Sequence, residues 1–337
     1  MKDKAFIVAE LSANHNHKKD IAIATIRAAK KAGADAVKLQ TYTADTITLD
    51  CRKEDFMIHG GLWDGYCLHD LYKEAYTPWE WHEELFHVAR EEGLICFSSP
   101  FDKTAVDFLE SLGNPIYKIA SFEITDIPLI SYVASKKKPV VISTGIATLQ
   151  DIEAALTAVR SSGNEDVTLL RCISQYPAPV EDANLLTIPD MRQRFGVKVG
   201  LSDHSIGNTL AVASVALGAT MVEKHFILDR KIGGPDSAFS CEPAEFAEMV
   251  RVIRETEAAL GNVCYPSDPQ KIKGREFARS LYVAEDIRKG EVFTEKNVRS
   301  VRPGYGLSPV MYFDVLGKRA NRDLEKGMPL RICDVEV

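Results

Sequence analysis

Residues 198–226 run twice from small and apolar residues into an abrupt polar end. The first run is Lys198-Val-Gly-Leu-Ser-Asp-His-Ser205 and the second is Met221-Val-Glu-Lys-His-Phe226. Between them, residues 206–219 are small and apolar enough for a helix packed on a sheet. Strand, helix and strand in that space make the two strands parallel neighbours. His204 and His225 then leave the same end of adjacent strands, within reach of one ion, with Asp203 and Glu223 beside them. Neutral imidazoles with a carboxylate nearby suit a divalent first-row metal. A lone histidine in such a place is more often hydrogen-bonded structure. The pair is what points to a ligand set.

The same alternation fills residues 1–261. Strands are expected at 5–11, 36–40, 94–99, 116–121, 140–144, 167–174, 198–202 and 221–225, with helical patterns between them, as at 20–32, 78–92, 102–112 and 149–161. This order favours an α/β chain closed into a (β/α)8 TIM barrel over an open doubly wound sheet. No glycine-rich dinucleotide fingerprint follows the first strand. The connection at 41–77, with Gly60-Gly61, Trp63 and Tyr66, is long enough to be a binding loop or lid. Residues 262–275 read as a linker, and 276–337 as a small, mainly β domain. That tail repeats a phrase, Asp286-Ile-Arg-Lys-Gly290 and Asp323-Leu-Glu-Lys-Gly327, which suggests internal pseudo-symmetry.

Composition narrows the partners. A net charge of -7 and a pI of 5.7 argue against nucleic acid or an anionic membrane as the main partner. An anionic substrate must therefore be drawn by a local cluster. The Met1-Lys-Asp-Lys start leads into an apolar strand without a signal-peptide core, and no apolar run is long enough to span a bilayer. The 7 cysteines include no Cys-x-x-Cys pair, so a reducing, cytoplasmic setting is expected.

In a barrel of this kind the chemistry sits at the C-terminal strand ends. Those ends carry Glu10; Lys38 and Gln40; Ser98 and Ser99; Lys118, Ser121 and Glu123; Ser143 and Thr144; Ser174 and Tyr176; Ser202, Asp203 and His204; and Glu223, Lys224 and His225. Buried strands rarely carry so much polarity without a ligand, because every desolvated polar group needs a partner. Hydroxyls with two lysines make a site for phosphate or carboxylate. The histidine pair supplies a Lewis acid for a carbonyl. Glu10 and Glu123 remain as candidate acid and base. Together these groups describe carbon–carbon bond formation from a phosphorylated nucleophile. A Schiff-base aldolase acting through Lys118 is the rival mechanism, but it leaves the histidines without a task. A sugar-binding protein without chemistry leaves Lys38, Lys118, Ser202, His204 and His225 unexplained.

Nine phrases carry a family resemblance. They are Ala9-Glu-Leu-Ser-Ala-Asn-His15, Ala36-Val-Lys-Leu-Gln-Thr41, Ser98-Ser-Pro-Phe101, Tyr117-Lys-Ile-Ala-Ser-Phe-Glu123, Ser143-Thr-Gly145, Gly200-Leu-Ser-Asp-His204, Val222-Glu-Lys-His-Phe226, Phe277-Ala-Arg-Ser-Leu-Tyr282 and Val301-Arg-Pro-Gly304. With them the chain resembles the sialic-acid synthase family, whose members condense phosphoenolpyruvate with an amino-sugar, and whose tail is an antifreeze-like (SAF) domain. Glu54-Asp-Phe56 and Gly60-Gly-Leu-Trp-Asp64 make it most similar to the branch acting on 2,4-diacetamido-2,4,6-trideoxy hexoses to make pseudaminic acid. Branches making N-acetylneuraminate or legionaminate by the same chemistry are the alternatives.

The resemblance implies roles residue by residue. Lys38, Ser99, Ser121, Ser143 and Ser202 would hold the phosphate of phosphoenolpyruvate, with Lys118 on its carboxylate side. His204 and His225 would hold a divalent metal, manganese first, with magnesium or cobalt as alternatives. Glu10 and Glu123 would manage water and protons. Gln40, Tyr176 and Asp236 would face the sugar, and Arg302 would reach the site from the tail of a partner in a domain-swapped homodimer. Leu39 stands where some sialic-acid synthases have histidine, which points away from N-acetylmannosamine. Phe122 and Trp63 would supply apolar contact for a deoxygenated sugar, a discrimination of about 1–3 kcal/mol per group.

Overall fold

The computed structural model describes residues 4–268 and 271–336. The first three residues of the expected start, residues 269–270 of the expected linker and residue 337 of the expected tail domain lie outside them. Contacts divide the chain into two compact units, Met1–Gly261 and Asn262–Val337.

The first unit contains β1 (Phe6–Glu10), β2 (Ala36–Thr41), β3 (Ile95–Pro100), β4 (Tyr117–Ile119), β5 (Val140–Ser143), β6 (Val167–Cys172), β7 (Lys198–Asp203) and β8 (Met221–His225). They pair in parallel in sequence order, and β8 closes on β1 in a register running from Phe6 opposite Met221 to Glu10 opposite His225. This is the expected closed barrel. Four strands are shorter than their sequence patterns, β1, β5 and β6 by a residue or two and β4 by more. β4 stops at Ile119 because the chain turns into a 3-10 segment at Ser121–Glu123, and β6 stops at Cys172.

Successive side chains of a strand point to opposite faces. One face of these strands supplies Val8, Ala36, Phe97, Val141, Leu170 and Met221, which pack together with Phe6 and Ile116 as an apolar plug inside the barrel. The other face supplies Ile7, Val37, Cys96, Ile119, Ile142, Leu169, Val199 and Val222 to the larger core shared with the helices. Gly200 takes the plug position on β7. A Cβ there would lie 2.4 Å from the Met221 carbonyl oxygen and 2.6 Å from Leu170 Cδ2.

Helices begin where the sequence supplies caps. Asp102 accepts from the N–H groups of Thr104 and Ala105 ahead of Lys103–Ser111, and Thr148 with Asp151 forms a capping box before Leu149–Ser161. After Pro78 a 3-10 turn, Trp79–Trp81, precedes the helix His82–Glu91. Trp79 stacks on Phe108, 4.8 Å between ring centroids, so packing is its role.

Asp203 and Lys224 face outward from β7 and β8. Their side chains meet at 2.7 Å, fully buried, and Lys224 Nζ also donates to the Ser205 carbonyl at 2.6 Å.

In the second unit, β9 (Ser280–Val283) and β10 (Val298–Val301) pair antiparallel over Leu281, Val283, Ile287, Phe293, Val298, Leu324 and Leu330. The repeated phrases face one another here. Ile287 and Leu324 exchange both backbone hydrogen bonds at 2.8 Å. Lys289 N donates to Asp323 Oδ1 at 2.7 Å, and Lys326 N donates to Asp286 Oδ1 at 2.8 Å. The internal repeat is therefore a local two-fold.

Removing one partner of a buried ion pair leaves an uncompensated charge and costs about 3–5 kcal/mol. Lys224→Met is expected to lower stability by that order, read as a fall in the urea midpoint of the barrel's unfolding.

Candidate active site

Two residues beyond the plug, on the same inward face, stand Glu10, Lys38, Ser99, Lys118, Ser143, Cys172, Ser202 and Glu223, one from each strand and all buried. The pleat thus converts an apolar floor into a polar ring in a single step. Glu223 is its centre. Its Oε1 lies 3.3 Å from Lys118 Nζ and 3.8 Å from Lys38 Nζ, and it accepts from Ser202 Oγ at 3.2 Å. Lys38 is also ion-paired with Glu10 and donates to Ser99 Oγ at 3.3 Å.

Burial would raise Glu223, but Lys118 and Lys38 together hold it below the usual carboxylate value. Burial raises Glu10 to about 7 against the pull of Lys38, with Glu223 adding to the rise. Burial disfavours the charge on Lys38, yet the carboxylates of Glu10 and Glu223 prevail and raise its pKa.

Beside this ring, Ser174 Oγ donates to Ser121 Oγ at 2.8 Å, and Ser121 Oγ accepts from Ile146 N at 3.1 Å. Ser143 Oγ is buried without a hydrogen-bond partner. Gly145 keeps this pocket open. A Cβ there would lie 2.2 Å from Ser174 Oγ and 2.7 Å from Ser121 Oγ. Unsatisfied hydroxyl, paired serines and two ammonium groups form a cradle for an anion.

His204 and His225 lie side by side at the barrel mouth, 5.3 Å between ring centroids. His204 Nδ1 donates to the Ile173 carbonyl at 2.8 Å, which leaves its Nε2 lone pair free for a ligand. His225 Nδ1 is buried without a hydrogen-bond partner and lies 4.0 Å from Asp236 Oδ2. Burial holds His204 down at about 4 and His225 well below its ordinary value. Two neutral imidazoles, one with an orphaned nitrogen, fit a divalent metal. Among the described residues no group of three His, Cys, Asp or Glu side chains encloses such an ion, so further ligands would come from substrate or water.

A cavity of about 500 Å³ opens beside His225, with Ser12, Gln40, Glu123, Tyr176 and Asp236 also among its lining. Gln40 Nε2 donates to Glu10 Oε1 at 2.9 Å and to Ser12 Oγ at 3.0 Å, and Ser12 Oγ donates to Asp236 Oδ2 at 2.5 Å. Tyr176 packs on His204 at 4.4 Å and on Trp63 at 5.5 Å. Trp63 Nε1 in turn donates to the Pro235 carbonyl at 3.1 Å. Glu123 enters from the wall with one oxygen unpartnered, and burial raises it to about 7.

The structure places Glu10, Lys38, Gln40, Ser99, Lys118, Ser121, Glu123, Ser143, Tyr176, Ser202, His204, His225 and Asp236 in or beside the barrel mouth. Arg302 is exposed in the second unit, just after β10. Other polar strand ends turn outward. Ser98 bonds Thr41 Oγ1 at 2.6 Å, behind the barrel wall, and Thr144 Oγ1 donates to the Leu170 carbonyl. Asp203, expected beside the metal, is committed to Lys224 on the outer face. Glu223, read as a metal neighbour, is the carboxylate between the lysines instead. Its position two residues before His225 was the available signal, since period two puts both on one face. Ser174, expected among the strand-end hydroxyls, joins Ser121 from just beyond β6, whereas Ser12 had no assigned role and loop geometry alone brings it in.

Residues 25–265 match the NeuB family and residues 278–336 the SAF domain. The chain belongs to the NeuB family. It is 49% identical over 333 residues to the pseudaminic acid synthase of Campylobacter jejuni, covering 99% of this chain and 97% of that one. Identity to the N,N'-diacetyllegionaminic acid synthase of the same organism is 35% over 332 residues, covering 97% and 99%. The crystal structure of the spore coat polysaccharide biosynthesis protein spsE from Bacillus subtilis matches with a TM-score of 0.67 at 34% identity, covering 100% of this chain and 96% of that one.

Because Glu123 sits near 7 in the fold, the native state keeps a proton that the unfolded chain releases near its ordinary value. That contribution is complete at low pH and is lost as pH rises from the unfolded to the folded pKa. Glu123→Gln removes the titration. The variant's melting temperature relative to the parent is expected to rise between pH 5 and pH 8, by roughly 2–4 °C per kcal/mol relieved. A constant difference across that range would contradict the assignment.

Proposed function

We propose that this chain condenses phosphoenolpyruvate with 2,4-diacetamido-2,4,6-trideoxy-L-altrose to give pseudaminic acid and phosphate. The observation that carries the chemistry is the arrangement of the mouth, an anion cradle beside two adjacent neutral imidazoles, of which His225 lines a sugar-sized cavity and His204 lies next to it behind Tyr176. The choice of sugar is supported by 49% identity to one C. jejuni synthase against 35% to the other.

Lys38, Ser99, Ser121, Ser143 and Ser202 would bind the phosphate, and Lys118 the carboxylate. An anion arriving at Lys38 competes with Glu10 for the ammonium and frees that carboxyl, which has a pKa near 7. Gln40, Tyr176 and Asp236 would orient the open-chain sugar. His204 and His225 would hold a divalent ion, manganese before magnesium or cobalt, which when bound polarises and orients the aldehyde. C3 of phosphoenolpyruvate forms the new bond to the aldehyde carbon, and the aldehyde oxygen takes a proton. Water adds at C2 and gives up a proton, and phosphate then leaves by C–O cleavage to the 2-keto acid. Glu10 and Glu123 carry ionisations suited to both proton transfers near neutrality.

Phosphate release from phosphoenolpyruvate is expected with the diacetamido-trideoxy hexose and to be at least about tenfold weaker with N-acetylmannosamine. Chelation, His204→Ala or His225→Ala should abolish it with the fold retained by circular dichroism. Release that survives chelation would remove the metal from the mechanism.

A homodimer completes this reading. Ile146, Leu149, Val180, Leu186 and Ile206 are exposed on the connections after β5 to β7, an apolar rim suited to a second copy, while Phe122 lines the cavity. Arg302 would enter from that copy. Mixed dimers of inactive Lys38→Ala and weakened Arg302→Ala chains are expected to regain part of the activity, whereas no recovery would place Arg302 outside the partner's site.

A further inference from the structure

The helix Leu68–Ala75 places Leu68, Leu71, Tyr72 and Ala75 against the cavity. Those positions are i, i+3, i+4 and i+7, one stripe of a helix. His69, Asp70, Lys73 and Glu74 take the other faces. Such a stripe ordinarily packs on a protein core. This one borders open space of about 500 Å³, together with Ile47 and Ile58 from the same 41–77 connection. Water against an apolar wall is unfavourable, so the wall calls for apolar ligand surface. The polar lining is set elsewhere, at Gln40, Asp236 and His225.

We infer that the segment containing residues 47–75 is the specificity element of the sugar site, with Leu71 receiving the methyl-bearing C6 end of the substrate. This rests on the cavity being the sugar site. The aldehyde lies at the histidine end, and the far end of the chain reaches the wall. A hydroxyl at C6 placed against the Leu71 methyl groups would lose its water and gain no hydrogen bond from that side chain. A methyl at the same place covers apolar surface. The discrimination available from one such group is about tenfold or somewhat more.

The test uses matched pairs of N-acetylated amino sugars that differ only in H or OH at C6, offered with phosphoenolpyruvate to the parent, Leu71→Asn and Leu71→Met. The parent is expected to favour the 6-deoxy member by about tenfold or more in kcat/KM. Leu71→Asn should erase that preference through the KM of the sugar, leaving the KM of phosphoenolpyruvate unchanged, and Leu71→Met should retain it. Equal preference in the parent and Leu71→Asn overturns the inference, as does a parent with no preference in any reacting pair. If Leu71→Asn fails to fold, Ile47→Thr repeats the measurement on the same wall. A reaction with a different amino sugar changes the substrate reading while the pair for that sugar still scores Leu71. Calorimetric binding of the pairs reads the preference where turnover is absent, and no binding of either member overturns it.

Discussion

The pleat of a β-strand sends alternate side chains to opposite faces, and closing eight strands turns one of those faces into a narrow interior. Everything at the mouth of this barrel follows from that period. Val8, Ala36, Phe97, Ile116, Val141, Leu170 and Met221 belong to the plug. Two residues later on the same strands come Glu10, Lys38, Ser99, Lys118, Ser143, Cys172 and Glu223. One residue either way and the chemistry changes sides. Ser98 and Lys224 lie one position from Ser99 and Glu223, and both are spent on the outer face joining neighbouring strands, Ser98 to Thr41 of β2 and Lys224 to Asp203 of β7.

The charges inside that ring are arranged so that an anion is the missing partner. Two lysines and Glu223 are buried with Glu10 close by. Buried charges persist only when paired and hydrogen-bonded. Glu223 is pinned as an anion by both lysines, while Glu10 titrates near 7. The pair of carboxyls is therefore asymmetric. One is held as the counter-ion of both lysines, and the other is the carboxyl that an anion arriving at Lys38 would displace in the proposed reaction. Neutral histidines above the ring keep their lone pairs, because burial opposes their protonation.

The mouth is organised by the loop after β1. Ser12, Asn16 and His17 have φ of 45°, 47° and 50°, a left-handed conformation that costs non-glycine residues free energy. The loop uses it to reach two other segments at once. Asn14 donates to the Phe226 carbonyl and to Ser240, and Asn16 donates to the Ile232 carbonyl. On the other side His15 bonds Thr77 and His17 bonds the Glu74 carbonyl, at the end of the helix that walls the cavity. The Ser12 hydroxyl then joins Gln40 to Asp236. Strain in one short loop is thus tied to the placement of both sides of the cavity.

Much of this was readable from the chain alone. Eight apolar runs ending in polar residues, separated by helical patterns, specify a closed barrel because parallel strands must be covered by their crossovers. The residue types at those ends, lysines with hydroxyls and a histidine pair, point to anion and metal chemistry, since buried polar groups in that number call for a ligand. Tertiary structure alone decided which member of each polar pair faces inward. Strand boundaries read from sequence are uncertain by a residue, and one residue inverts a pleat. That is why Glu223 came forward and Asp203 fell back. It also decided the fate of the Leu68–Ala75 stripe. An amphipathic pattern is the same whether its apolar side meets a core or an empty cavity, and only the folded chain distinguishes the two.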